Sequence, residues 1–309
     1  MTAESLRPAS LSALMTDSLG DERGTSLWQG AFQRLRRNPS AISGAIIVAV
    51  FILVAVFAPL IAPYEPATSE WIDQVTPSSV PGPSPGHLLG LDPFGSDLFT
   101  QLIYGARQSL IIGVVSTCLG LIGGAILGII AGGIGGKVDT LVMRFVDILL
   151  SIPSLLLAVS VAAVIGQRPI SIMIAVAAAQ VPIFARLLRG SMLGQRNQDY
   201  VLASVSLGLR RRTIVMGHIL PNSLSPVIVQ ATLALATAII EVAALSYLGL
   251  GVPDPATAEW GRMLVKAQDR IQTDPHLMFL PGICIAITAL GFTLLGESLR
   301  EALDPKSRR

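Results

Sequence analysis

Charge is what this sequence has least of. Only 14% of its 309 residues are Asp, Glu, Lys or Arg, against about 25% in a soluble globular domain. That deficit excludes a water-bathed surface over most of the chain. A net charge of +2 gives no basis for nucleic-acid binding. Cysteine is nearly absent too: Cys118 and Cys284 both lie in apolar runs, which excludes a disulfide framework and a zinc site. His87, His218 and His276 are scattered, with no H-E-x-x-H or other paired metal spacing. There is no G-x-S-x-G elbow. The glycine-rich stretch Gly132 to Val138 fails as a phosphate loop. Ala131 stands five before Gly136, and Val138 follows Lys137 where Ser or Thr should hold Mg²⁺. No catalytic constellation, cofactor site or metal site is therefore expected in this chain. Residues 1–27 are polar, include Asp17, Asp21 and Glu22, and have no apolar core of a cleavable signal. They are expected to form a disordered arm.

What is present is hydrophobicity: 51% of residues, with a mean hydropathy of +0.64. Crossing the roughly 30 Å hydrocarbon core takes about 20 apolar residues of helix. Six such runs stand out, at about 41–62, 109–134, 142–166, 169–190, 224–250 and 278–297. Lipid demands closed backbone hydrogen bonding, so these are helices. The fold class is an all-α polytopic membrane protein of six transmembrane helices. Gln167-Arg168-Pro169 reads as a tight turn, and Pro153, Pro182 and Pro281 mark expected kinks.

Six spans place both termini on one side. The opposite side holds only Arg107, Arg168, Arg262, Lys266 and Arg270 of the 22 basic residues. The positive-inside bias makes the termini and the 190–223 loop cytoplasmic. Segment 63–108 and a loop near 251–277 are then outside. Trp28, Phe32 and Leu35 recur at helical spacing beside Arg34, Arg36 and Arg37, an amphipathic N-terminal interface helix. Trp71, Trp260, Tyr64, Tyr104 and Tyr247 lie mostly near outer span ends, as interface belts do.

Three patterns within the spans carry structural or functional meaning. Gly120, Gly124, Gly128 and Gly132 form a small-residue ladder that lets another helix approach closely. Gln230, Thr237 and Glu241 share one helical face. That stripe either lines a translocation path or glues helices together with Glu241 neutral or paired. Gln180, Ser151 and Ser160 are weaker candidates for the same lining. Asp139, Arg144 and Asp147 have the spacing for pairs along one helix.

The stretch YVLASVSLGLRRRTIVMGHILPN, Tyr200 to Asn222, is polar and Arg-rich between apolar runs. Gly208 breaks it and Ile219-Leu220-Pro221 closes it. It resembles the E-A-A…G…I-L-P loop of the membrane subunits of bacterial ABC importers, with Leu202 where that family often has Glu and Ser204 where it has the second Ala. Further blocks are similar to the C-type, or second, permease of the dipeptide/oligopeptide/nickel importers. These are RRNPSAISG…FAPLIAPYEP, GLDPFGSDLFTQLIYGARQSL, VDTLVMRFVDILLSIPSLLLA, LSYLGLGVPDPATAEWGRML and LGESLREALDP. Together they cover roughly residues 30–306.

The resemblance implies a type I importer permease fold. Residues 28–66 would be the interface helix and first span, 67–108 an extracytoplasmic segment, and 109–306 a core of five spans. The docking loop lies within that core at 190–223. It further implies a short helix that docks into an ATPase cleft, with Tyr200, Ala203, Ser204, Gly208, Arg210, Arg211, Ile214, His218, Ile219, Leu220 and Pro221 as docking-loop residues. Ile214 and Ile219 would present an apolar face to that cleft. The path candidates are Gln180, Gln230, Thr237 and Glu241. The implied partners are a B-type permease forming a heterodimer, one or two cytoplasmic ATPase subunits that use ATP and Mg²⁺, and an extracytoplasmic solute-binding protein. The setting is the bacterial plasma (inner) membrane. The competing reading is a self-sufficient secondary transporter or channel built around Glu241.

Overall fold

The computed structural model describes residues 27–76, 79–251 and 257–303. Of the expected N-terminal arm, residues 1–27, positions 1–26 lie outside them and Leu27 already begins the first helix. Helix α1 (Leu27–Leu35) runs into α2 (Pro39–Val56). Asn38 stops one and starts the other: its side chain accepts from the amides of Ser40 and Ala41, and Pro39 occupies the first helical position. Phe32 of α1 is exposed and Leu35 is half-buried; the side chain of Trp28 is outside the described residues. Arg34 donates to the Ala302 carbonyl at 3.3 Å, tying α1 to the end of the last helix. A short turn of helix, α3 (Ala58–Ile61), follows α2.

The second span is longer than its apolar run. Helix α4 (Leu98–Ile134) has 37 residues, about 55 Å at 1.5 Å per residue. Asp97 caps it through the Thr100 amide at 2.8 Å. Its first turns therefore belong to segment 67–108 by sequence and to the span by structure. The third span is broken. Helices α5 (Gly136–Leu150) and α6 (Ser154–Ile165) meet at 93°. At about 22 and 18 Å, neither crosses a bilayer alone. Pro153 removes a backbone donor and pushes Ile152 out of helical geometry, so the expected kink is close to a right angle. Helix α7 (Pro169–Gln195) runs unbroken through Pro182, and the last helix does the same through Pro281.

Two short helices, α8 (Asp199–Ser206) and α9 (Arg211–Ile214), precede α10 (Leu220–Leu245). A π turn at Val215–Ile219 joins α9 to α10, and another at Ser246–Leu250 extends it. The fifth span is thus one run from Arg211 to Leu250. It begins thirteen residues before its apolar run. Helices α11 (Trp260–Ala267) and α12 (His276–Leu303) complete the chain. Among the described residues, five helices are long and apolar enough to cross a membrane, and the bent pair makes a sixth.

The glycine ladder is the seam between α4 and α7. A Cβ on Gly124 would lie 2.4 Å from the Phe184 Cβ, and one on Gly120 would lie 2.9 Å from the Gln180 Cβ. Gly128 and Gly132 similarly face Leu188 and Met192. Small residues let these backbones close to contact, which is where packing energy comes from in lipid. Elsewhere Gly44 meets Gly291 across α2 and α12, and Gly296 meets Leu233 across α12 and α10.

At one end of the bundle, residues 62–76, 79–97 and 257–275 fold into a cap. Asp92 accepts from the amides of Phe94 and Ser96 and pairs with buried Lys266 at 3.0 Å. Gly90 and Gly95 have φ of +86° and +74°, and a Cβ on Gly95 would overlap the Ile72 backbone. Trp260 corrects the interface-belt expectation. It is 1% exposed, donates to the Leu102 carbonyl at 3.1 Å and lies on Gly105. Tyr64 and Trp71 likewise pack on each other and on His87 inside the cap.

Candidate functional site

At the end of the bundle opposite the cap, α8 packs through Val201 against α7 and the start of the fifth span. Val201 and Ser204, three residues apart, turn inward and are buried. Ser204 Oγ donates back to the Tyr200 carbonyl at 2.7 Å. Tyr200 Oη donates to Gln195 Oε1 at 2.7 Å, fixing the start of α8 to the end of α7. Gly208, at φ +73°, closes the helix. Its amide donates to the Val205 carbonyl at 2.9 Å, and the Leu209 amide donates to the Ser204 carbonyl at 3.2 Å. That pair of bonds is a Schellman closure, which favours glycine at the left-handed position.

The closure turns apolar side chains outward. Leu202, Val205, Leu207 and Leu209 are all exposed, Leu207 by 80%. Four apolar residues on one short polar stretch form a cluster of the kind that marks a contact surface. The sequence reading passed over all four, treating Leu202 only as a departure from the family pattern. The available signal was their concentration around Gly208 in an otherwise polar loop.

Ile214 and Ile219 require the opposite correction. They are 6% and 3% exposed and pack with Phe184, Leu188, Met192 and Val201. The π turn continues the helix of the fifth span, so these side chains enter the chain's own core rather than facing out. His218 is half-buried, and its carbonyl accepts from Asn222 at 2.8 Å. Leu220 is half-buried, while Ala203, Arg210 and Pro221 are exposed. Arg211 is turned away from the loop. Its guanidinium donates to the carbonyls of Gly133, at 3.0 Å, and Ile134 at the end of α4.

The path candidates separate into two groups. Gln180 is 3% exposed and sits in the α4–α7–α10 contact. Its Nε2 donates to the Ala234 carbonyl at 3.2 Å, and its Oε1 is buried without a partner. It faces no open space. Gln230 lines a cavity of about 400 Å³ with Leu187, Val229, Leu233 and Arg300. Thr237 is exposed and bonds back to the Ala234 carbonyl. Glu241 is half-buried beside Ser154, the first residue of α6, and its Oε2 has no partner. Ser151 and Ser160 are exposed and bond back to Ile148 and Leu156.

Asp139 and Asp147 do not pair along α5. Asp139 takes two bonds from Arg189, at 2.9 and 2.7 Å, and Asp147 pairs with Arg186. Both arginines come from α7, so the pairs fasten helix to helix. Arg144 is exposed. At the cap, the sequence reading passed over Glu259. Its carboxylate caps α11 through the amides of Gly261 and Arg262, at 2.8 and 3.1 Å, with Ser109 Oγ 3.5 Å away. Burial pushes its pKa above the usual carboxylate value, and these hydrogen bonds oppose the shift.

Comparison with known proteins places this geometry in a family. Residues 124–309 match the binding-protein-dependent transport system inner membrane component. Residues 26–78 match the N-terminal TM domain of oligopeptide transport permease C. The chain is 44% identical over 284 residues to the dipeptide transport system permease protein DppC of Alkalihalophilus pseudofirmus, covering 92% of this chain and 91% of that one. It is 40% identical over 288 residues to the oligopeptide transport system permease protein OppC of Bacillus subtilis, covering 93% and 92%. A glutathione transport system permease protein GsiD of Shigella flexneri is 40% identical over 279 residues, covering 90% of each. Among solved structures, an inward-facing MetNI methionine ABC transporter chain aligns with a TM-score of 0.55. It shares 20% identity over 66% of this chain and 96% of that one, a likeness of fold. The chain belongs to the family of binding-protein-dependent transport system inner membrane components, as a permease subunit of the oligopeptide permease C type.

Proposed function

We propose that this chain is the C-type permease of an ATP-driven peptide importer. It forms half of a translocation path with a B-type permease and hydrolyses no ATP itself. One or two cytoplasmic ATPase subunits bind ATP and Mg²⁺, and an extracytoplasmic solute-binding protein delivers cargo. The observation that carries this reading is the apolar turn Leu202–Val205–Leu207–Leu209, held outward by the Gly208 closure. An ATPase cleft would bury those four side chains. Tyr200, Ala203, Arg210 and Pro221 would rim the contact, while Ser204, Ile214 and Ile219 hold it from beneath. The Lys/Arg bias supports a plasma-membrane orientation with both termini and this loop cytoplasmic.

ATP binding would close the ATPase pair and draw the two loops together. Each ligand state then favours one orientation of the path, which alternates access by population shift. Gln230, Thr237 and Glu241 are the polar groups this chain would offer to the path, with Gln180 holding the helices behind them. The names of the dipeptide and oligopeptide relatives support peptide cargo.

The test is copurification from native membranes in mild detergent. Recovery of a second permease and an ATPase is expected, and Gly208→Pro should abolish uptake, because proline cannot adopt φ +73°. Recovery of the chain alone, moving solute without ATP, would overturn the reading.

A further inference from the structure

Helix α4 ends under two arginines. The last carbonyls of a helix have no partner within it, and α4 stops abruptly at Gly135 and Gly136, with φ of +71° and +61°. Arg196 donates to the carbonyls of Gly132 and Gly133, the latter at 3.2 Å. Arg211 donates to those of Gly133 and Ile134. Three carbonyls thus receive four bonds, and two positive charges sit at the negative end of the helix dipole. A Cβ on Gly135 would lie 3.4 to 3.7 Å from both guanidiniums, so the junction between α4 and α5 is covered by them.

The placement of the two arginines in the chain gives this arrangement its meaning. Arg196 directly follows α7, and Arg211 is the first residue of α9. Between them lies the whole segment 197–210, with α8, the Gly208 closure and the four exposed apolar residues. Both ends of that segment are therefore fastened to the same helix end. The other end of α4 lies in the cap. There Trp260 packs on Gly105 and donates to Leu102, and Ser109 meets Glu259 and the Trp260 amide. One continuous helix of 37 residues joins the two regions.

We propose that Arg196 and Arg211 are positioning residues that make the 197–210 segment and α4 one mechanical unit, so that movement of the segment is carried along α4 to the cap. This rests on the docking reading above. It assigns Arg211 to the inside of the joint rather than to the partner's cleft. Arg212, the next residue, is exposed and serves as the control, since its loss should leave the joint intact. Spatial intermediacy alone is not coupling; the specific warrant is that moving the segment must either move the end of α4 or break four charge-assisted bonds.

The experiment uses the complete importer in proteoliposomes with its solute-binding protein and a dipeptide. Three quantities are read: the ATPase recovered per permease, the ratio of ATP hydrolysis with loaded binding protein to that without, and dipeptide moved per ATP. In Arg196→Gln/Arg211→Gln the ATPase should be recovered in full, while the stimulation ratio and dipeptide per ATP both fall at least fivefold. Arg196→Lys/Arg211→Lys should recover part of the ratio, because an ammonium keeps the charge and can still donate to these carbonyls, but on a shorter side chain and without the guanidinium's preorganised planar fork. If the glutamine pair fails to reach the membrane, Arg211→Gln alone should show the same split to a lesser degree. An unchanged ratio in a folded variant overturns the proposal. So does loss of the ATPase from the complex, which would make these residues docking contacts. Failure of the docking reading itself has a separate signature: Leu207→Asp would then leave the ATPase bound.

Discussion

The two ends of this molecule handle polar and apolar groups in opposite ways. In the cap, charged groups are buried and matched: Asp92 with Lys266, Asp97 with His87, Glu259 with the start of α11. In the 197–210 segment, four apolar side chains, Leu202, Val205, Leu207 and Leu209, are exposed. A buried, satisfied network specifies one geometry, because each lost partner leaves a costly orphan. An exposed apolar turn does the reverse and leaves its burial to something else. The cap therefore reads as a rigid anchor and the segment as a contact surface.

The largest expected effect on stability is at the cap. Trp260→Ala removes a buried ring from between α2, α4 and α11 and also the bond to Leu102. Such a truncation costs about 3–5 kcal/mol. A thermal melt in detergent should show a large drop, or no folded protein. A small drop would mean the cap is not the anchor.

Next is Asp92→Ala, which leaves Lys266 buried beside the Phe94 ring without its partner. Breaking such a pair costs about 3 kcal/mol or more, whereas replacing both partners by apolar residues is often neutral. The double variant Asp92→Met/Lys266→Met keeps the apolar volume but loses the turn bonds to Phe94 and Ser96. It should therefore recover only part of the loss. Full recovery in a melt would show that the turn bonds contribute little.

The third prediction concerns pH. Burial raises the Glu259 pKa, so the folded state holds that proton more tightly than the unfolded chain. The stabilisation is complete below the unfolded value, about 4.3, and is lost as pH rises through the raised folded value. Glu259→Gln removes that slope. At acidic pH the variant should be less stable by about 1 kcal/mol, the worth of one cap bond, and the gap should narrow as pH rises. Parallel stability curves for the two proteins would exclude Glu259 as the source.

These regions also differ in how far sequence could reach them. Apolar runs of about 20 residues placed the spans, because bilayer thickness sets that length directly. The glycine ladder predicted a close helix contact, and α7 supplies it. The cap networks were out of reach, because Asp92 meets Lys266 across 174 positions and Ser109 meets Glu259 across 150. Pro153 announced a kink but not its angle, which depends on how α5 and α6 pack on their neighbours. Ile214 and Ile219 were misassigned for a related reason. Apolar periodicity says that a face is buried, not by what, and the π turn that carries them into the fifth span has no sequence signature of its own.

The smallest effect on stability should come from the segment, and that is where the comparison is sharpest. Leu207 caps α8 and is almost fully exposed, so Leu207→Asp removes little packing. Substitutions at such surfaces usually stay within about 0.5 kcal/mol, and the melt should match the parent. Burying a carboxylate in an apolar partner cleft is costly by contrast, so ATPase recovery and uptake should fall tenfold or more. A stable variant that has lost its partner would separate folding from docking in a single residue. A variant that keeps full uptake would move the contact surface elsewhere on the chain, and with it the reason for holding four apolar residues in the open.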